Sequence, residues 1–402
     1  MSERKVKKSV VVDTTPELAF EAVTSASELR EWCSDQAWTE VRPGGRYEMR
    51  WNSGYRADGT ITELDPPHRA AITWRGTGEP AETTLEYTVT PADQGVTVTV
   101  VHSGFGPGSE WDEAVEASEK GWSLGLENLQ STLETGIDLR ISRQPFLGIN
   151  LDLLTPERAA KEGIAAEQGI YVLDTVAGSG ARAAGLGKGD VIVALAGKDT
   201  PGFAELGSAL RTCQAGDVVN VELVRGQEQE TVKVTLGSRP QREIPDSAAE
   251  VADQLAQGHA ETNAELRAAV EGVTEAEARQ QPGEGEWSVK QTLAHLTEGE
   301  RGFHVVLVNM AINGWLDGGP IYPDQIPGRL DAVLAVTPTV EGLVERFITD
   351  QAETVAIVRG LPETTIAHKA RFRRMADFAL YGPDHTREHI EQIKRAIAVV
   401  RG

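Results

Sequence analysis

Residues 109–134 read SEWDEAVEASEKGWSLGLENLQSTLE, and Trp122, Leu126, Leu129 and Leu133 recur in them at spacings of 4, 3 and 4 while most other positions are polar or small. That period predicts one long helix with a single apolar stripe, which must be buried against a larger surface. The preceding residues supply one. Alternation of apolar and polar residues over 5–12, 46–51, 71–74, 83–89 and 95–102 predicts antiparallel strands, with Gly44-Gly45 and Pro66-Pro67 at turns. Two short helices are expected around 15–24 and 26–33. A sheet closed by the long helix is the expected first domain, residues 1–140.

The rest of the chain differs in character. With 402 residues, the prior at roughly 150 residues per domain is two to three domains. Six of the eight Trp precede residue 140 and none falls in 141–240. The formal charge of −22 divides as −11 over 1–140, −2 over 141–240 and −9 over 241–402. Joins are expected at 136–145 (GIDLRISRQP) and 238–246 (SRPQREIPD), where Pro and mixed charge mark linkers. The domains are accordingly expected at 1–140, 144–238 and 246–402.

Composition excludes several functions. A surface this acidic repels phosphate backbones, so nucleic acid is not an expected partner. Cys33 and Cys213 are the only cysteines, too few for a disulfide framework or a cysteine zinc site. No apolar run approaches the ~18–20 residues of a membrane span. The basic start MSERKVKKSVVVDTTPE turns acidic where a signal peptide would carry its apolar stretch. The expected location is cytoplasmic.

In the first segment, WTEVRPGGRYEMRW (38–51), GTITELDPPHRAAITW (59–74) and HSGFGPGSEWDEAVEASEKGWSLGLENL (102–129) resemble the SRPBCC (START-like) superfamily, in its AHSA branch related to activators of a heat-shock-protein ATPase. The resemblance implies a helix-grip fold with an apolar cavity between sheet and helix. Arg46, Trp51, Trp74, Trp122, Leu126 and Leu129 are its expected lining, and a small apolar molecule its expected ligand. Arg46, as the local buried charge, would favour an acidic one. The plainer alternative is that the Trp side chains fill the core.

The middle segment alternates β-rich runs (170–176, 190–195, 218–225, 230–236) with Gly-rich turns, and 203–212 fits a helix. FLGINLDLLTPERAAKEGI (146–164) and AGLGKGDVI (184–192) closely resemble the PDZ domains of bacterial HtrA-type proteases. The resemblance implies that Leu147, Gly148 and Ile149 cradle the carboxylate of a peptide or protein C-terminus, with Phe203, Leu206 and Leu210 walling the side-chain pocket and a strand edge accepting the peptide. No GxSxG or similar nucleophile motif occurs, so proteolysis is not expected. A spacer that has lost its ligands is the alternative.

The third segment predicts helices over 246–271, 288–310, 339–358 and 375–400, the last interrupted. Ser288 with Gln291 three residues on makes a capping box that fixes where the second begins. His385 and His389 lie four apart on one helix face; such a pair can grip one metal, and a third His from a facing helix would leave an open position. WSVKQTLAHLTEGE (287–300) with HTREHIEQI (385–393) resembles the DinB-like superfamily. That likeness implies an all-α four-helix bundle with a metal triad of His295, His385 and His389, zinc or nickel as the metal, and in some relatives activation of a low-molecular-weight thiol. Pro383 should break or kink the helix just ahead of the pair. HTREH also fits the inverted zincin signature with Glu388 as base, but only a short tail follows in which to find its further carboxylate ligand. Polar core histidines in a degenerate bundle are the other alternative, and no catalytic residue is assigned.

The whole reads as a multidomain α+β chain: a START-like helix-grip domain, a small β-rich PDZ domain and a helical bundle. Two functions fit, a metal-dependent thiol transferase or hydrolase acting on small molecules, and a non-catalytic adaptor or stress-response protein recognising peptide C-termini.

Overall fold

The structure is a computed structural model that describes residues 4–313 and 328–402. Its contacts divide the chain into two compact units, Met1–Ile137 with Glu243–Gly402, and Asp138–Arg242.

In the first unit a seven-stranded antiparallel sheet has the order β1-β7-β6-β5-β4-β3-β2, with β1 at Arg4–Val12, β2 Gln36–Thr39, β3 Arg46–Arg50, β4 Arg56–Asp65, β5 Arg69–Gly76, β6 Thr83–Pro91 and β7 Val96–Phe105. Helices α1 (Pro16–Thr24) and α2 (Ala26–Trp32) interrupt it after β1, and α3 (Asp112–Thr135) closes it. The stripe behaves as its spacing requires. Trp122, Leu126 and Leu129 are buried in the same cluster as Tyr47, Ile72, Tyr87 and Val98 from the sheet, with Leu133 packed at its margin.

The strands β2 and β4 were not expected from the sequence. Inward-facing Ala57, Gly59 and Ile61 on β4 are mostly small, so the alternation that betrays a strand is weak there.

The bundle contains the Ala248–Val270, Val289–Asn313, Val340–Arg359, Lys369–Leu380 and Gly382–Arg401 helices. The Arg329–Val336 and Glu363–Ala367 helices also form, and the sequence did not flag them. The capping box closes in both directions: Gln291 N–H donates to Ser288 Oγ at 3.3 Å and Ser288 N–H to Gln291 Oε1 at 3.0 Å. Pro383 sits in the first turn of the last helix, where its missing N–H costs no intrahelical bond. The interruption therefore places His385 and His389 in the opening turns of a fresh helix.

The first domain and the bundle meet within this unit. Glu28 and Glu31 of α2 pair with Arg371 and Arg374, and Glu21 Oε2 lies 3.3 Å from His368 Nε2. Gly136 ends α3 at φ 72°, and a Cβ there would come 2.5 Å from the Lys369 carbonyl oxygen. Only glycine meets both demands.

The second unit is built on a sheet in the order Glu228–Thr235, Val218–Arg225, Asp190–Leu195, Ile170–Thr175, Ile149–Leu153, with the Phe203–Leu210 helix packed on Asp190–Leu195. Most of these spans start and end within two residues of their expected limits.

Candidate metal centre, cavity and peptide edge

The bundle's interior divides in two. One apolar cluster holds Leu266, Leu296, Phe347 and Ile390, and another holds Leu255, Leu307, Val358 and Leu380. Between these cluster members in the sequence the helices carry polar residues: His259 and Thr262, then Thr297, Glu300 and His304, then Asp350, Gln351 and Thr354, then His385 and Thr386. Both ring nitrogens of His259 and both amide atoms of Gln351 are buried without a protein hydrogen-bond partner. Burying polar atoms without partners is costly, which sets this layer apart from the apolar clusters on either side of it. Periodicity alone could not reveal it, because its members occupy ordinary inward positions.

Beside this layer His295, His385 and His389 each direct a ring nitrogen to one point, with the three atoms within 4.8 Å of one another. His385 Nε2 and His389 Nε2 are 3.1 Å apart. Two imidazole nitrogens on a tetrahedral ion at about 2.0–2.1 Å lie about 3.4 Å from each other. His389 Nδ1–H donates to Gln392 Oε1 at 2.9 Å, which leaves its Nε2 lone pair facing the cluster. His295 Nδ1 is buried with no hydrogen-bond partner. Burial first, and the neighbouring imidazoles second, lower the pKa of His295 to about 4 and hold that of His385 below its ordinary value. Near neutral pH His295 and His385 carry lone pairs rather than charge, as metal ligation by imidazole requires. The residues present therefore fit a metal. Trp287, a residue for which sequence reasoning predicted no role, stands over the cluster with its ring 4.7 Å from that of His295 and 6.5 Å from that of His389. Glu388 is exposed and accepts a 3.4 Å bond from Tyr381 Oη, turned to the surface.

Glu300 in the polar layer accepts from Thr354 Oγ1, which also lies 2.8 Å from His304 Nε2. Burial, with the charge of Asp350 adding, pushes its pKa up to about 7. Since the folded value exceeds the unfolded one, its contribution is full below about pH 4.5 and is lost as pH rises through 7. Glu300→Gln should therefore stabilise the chain by up to about 3 kcal/mol at pH 8 and by little at pH 4.5, as read from urea unfolding at the two pH values.

In the first domain a cavity of about 490 Å³ lies between the sheet and the first half of α3. Trp51, Trp74 and Trp122 line it as expected positions, together with Tyr55, Glu79 and His102. Three expected residues do not. Arg46 is exposed on β3, because strand alternation turns Tyr47 and Met49 inward and Arg46, Glu48 and Arg50 away. Leu126 and Leu129 lie one and two turns further along α3, in the closed core. With Arg46 outside, the case for an acidic ligand falls: among the described residues Glu79, Glu110 and Glu113 line the cavity and no Lys or Arg does.

In the second unit Leu147 is buried, Gly148 takes φ 82°, and a Cβ on it would lie 2.1 Å from Ser179 Cβ. The Leu147 and Gly148 carbonyls accept from Ala181 N–H (3.1 Å) and Val176 N–H (2.9 Å), fixing the turn. Ile149 opens a strand that, among the described residues, pairs only with Ile170–Thr175 and forms the sheet's edge. Ile149, Leu206 and Leu210 pack in one cluster, and Phe203 is exposed. In AGLGKGDVI the buried Asp190 accepts from Gly187 N–H and from Arg225 at 2.7 and 2.9 Å. The most specific signature of this domain is thus a fold anchor.

Family models match the chain in three places: the activator of Hsp90 ATPase homolog 1-like family at 13–134, the PDZ domain at 145–236 and the DinB superfamily at 259–393. The chain is 26% identical over 134 residues to the putative serine protease HhoB of Synechocystis sp., covering 31% of this chain and 32% of that protein. It is 32% identical over 122 residues to the periplasmic pH-dependent serine endoprotease DegQ of Escherichia coli, covering 29% and 27%. It spans about a third or less of the length of these relatives. Among solved structures, protein MLL2253 from Mesorhizobium loti matches at 22% identity over 32% of this chain and 96% of its own, TM-score 0.30. The Aha1 dimer from Colwellia psychrerythraea matches at 18% over 33% and 96%, TM-score 0.28. The chain joins an AHSA1-like β-sheet domain, a small β-rich PDZ domain and a helical DinB-like domain. No helix among the described residues is long and apolar enough to cross a membrane.

Proposed function

We propose that this chain is a cytoplasmic metal-binding protein with domains at 1–140, 144–238 and 246–402, whose bundle carries out thiol transfer or hydrolysis on a small molecule at His295, His385 and His389. The observation that carries this reading is the meeting of three imidazole nitrogens within 4.8 Å beside a buried, unpartnered His295 Nδ1. A bound zinc or nickel ion would stabilise a thiolate or hydroxide in its open position. The chain's own residues do the rest. Gln392 holds the His389 tautomer, Trp287 shields one side of the cluster, and the polar layer at Glu300, Gln351 and His259 offers hydrogen bonds to a polar substrate. The test is elemental analysis of protein purified without chelator, followed by a screen for thiol-dependent transfer to small electrophiles. Stoichiometric metal with turnover supports the reading; a metal-free protein that takes up no zinc or nickel opposes it.

A second reading, a non-catalytic adaptor, is favoured by the edge strand Ile149–Leu153 and by the HtrA-type relatives of the PDZ domain. On this reading a peptide C-terminus adds as a strand beside Ile149, its carboxylate at Leu147 and Gly148 and its last side chain among Phe203, Leu206 and Leu210. A C-terminal peptide library should then yield binders whose amidated forms bind at least about tenfold more weakly, since amidation removes the charge the turn would hold. Equal affinity of acid and amide forms would remove the carboxylate cradle.

A further inference from the structure

We propose that the cavity of the first domain binds an organic cation, an ammonium group carried on an apolar body. This goes beyond the function proposed above and is independent of the metal centre. The walls are aromatic: Trp51 and Tyr55 rings stand 5.2 Å apart, and Trp74 and Trp122 5.9 Å apart. Aromatic faces attract cations, and do so more strongly when water is excluded. Glu79, only 7% exposed, is held at the cavity by Trp74 Nε1 and Tyr55 Oη, each at 3.3 Å, and by Gly76 N–H at 2.9 Å. Those three donors are neutral groups, and among the described residues neither Glu79 nor the exposed rim carboxylates Glu110 and Glu113 has an ion-pair partner.

The one basic side chain in the lining brings no compensating charge. His102 Nδ1 accepts from Trp122 Nε1–H at 3.3 Å and its Nε2 lies 2.7 Å from Thr83 Oγ1, so both nitrogens are occupied and neither is left to meet a ligand. Burial lowers its pKa to about 4, which keeps it neutral. A carboxylate ligand would enter a space lined by three acids, whereas an ammonium group would find both a counter-charge and π faces. A volume of about 490 Å³ suits a drug-sized body.

The test uses the full chain, metal-free, in buffer with 0.15 M salt, titrated calorimetrically below micelle-forming concentrations with decyltrimethylammonium, decanoate and 1-decanol. These share a chain length and differ in head-group charge. The cation should bind with one-to-one stoichiometry and at least about tenfold more tightly than either of the others. Glu79→Gln should weaken it at least about tenfold. Gly121→Phe should abolish it: Gly121 lines the cavity on α3, a Cβ there meets nothing within 4 Å, and replacing a mid-helix glycine favours the helix. Should Glu79→Gln not fold, the exposed pair Glu110→Gln/Glu113→Gln must weaken binding about threefold or more. Equal affinity for the three probes, preference for decanoate, or undiminished cation binding in Gly121→Phe overturns the proposal. The last outcome would mean only diffuse attraction to a chain of charge −22. Because no metal and no turnover enter this readout, its failure leaves the metal reading standing, and the reverse also holds.

Discussion

Arg371→Ala should cost the first unit about 3–5 kcal/mol, because it leaves the Glu28 carboxylate buried without its counter-charge. Glu28 and Arg371 are 7% and 8% exposed, so water cannot readily replace the guanidinium. In a unit of this size the loss corresponds to a fall in melting temperature of roughly 5–10 °C, visible by calorimetry. The pair is not itself a large net source of stability. The neighbouring Glu31 makes this visible: burial raises its pKa in spite of the opposing charge of Arg374. Glu28→Leu/Arg371→Met should therefore recover most of what Arg371→Ala loses, and a double-mutant cycle would measure the coupling. A loss under 1 kcal/mol in the single variant would mean that the contact between α2 and the Lys369–Leu380 helix is open to water in solution.

His389→Ala should weaken zinc or nickel binding by more than about 100-fold, since even loss of a partner outside the ligand set costs about 10–100-fold. Gln392→Ala, which removes the acceptor holding His389 Nδ1–H, should fall within that smaller range. Competition against a chromophoric chelator reads both. Metal at 1,000 times the wild-type Kd should stabilise the wild-type bundle by about 4 kcal/mol and His389→Ala by no more than about 1.4 kcal/mol. Equal affinity in the wild type and His389→Ala would place any bound ion elsewhere. The group formed by Glu21, Glu28 and His368 is then the other candidate among the described residues, although Glu28 is already engaged by Arg371.

Much of the local structure was legible because it depends on near neighbours. The Ser288 and Gln291 pair specified a helix start, the 4-3-4 stripe specified which face of α3 is buried, and the Gly-rich turns of the middle segment delimited its strands. The outward placement of Arg46 was legible too, since the alternation of Tyr47 and Met49 turns it away from the core. β4 was not, since its small inward residues gain their hydrophobic surroundings only from the strands on either side.

By itself, then, the sequence determined three segments, most of their elements, and a histidine pair on one helix face, because capping, periodicity and turn chemistry act over a few residues. The DinB-like resemblance already implied His295 as the third member, and tertiary structure is what brings its ring nitrogen within 4.8 Å of theirs. Tertiary structure also decided that a polar layer divides the bundle's two apolar clusters, that α2 docks through Glu28 and Glu31 on Arg371 and Arg374, and that the cavity is lined by acids instead of by Arg46. Each of these joins side chains tens to hundreds of residues apart. What they meet, and therefore their solvation and charge, is set by how whole helices and sheets pack, which no local pattern encodes.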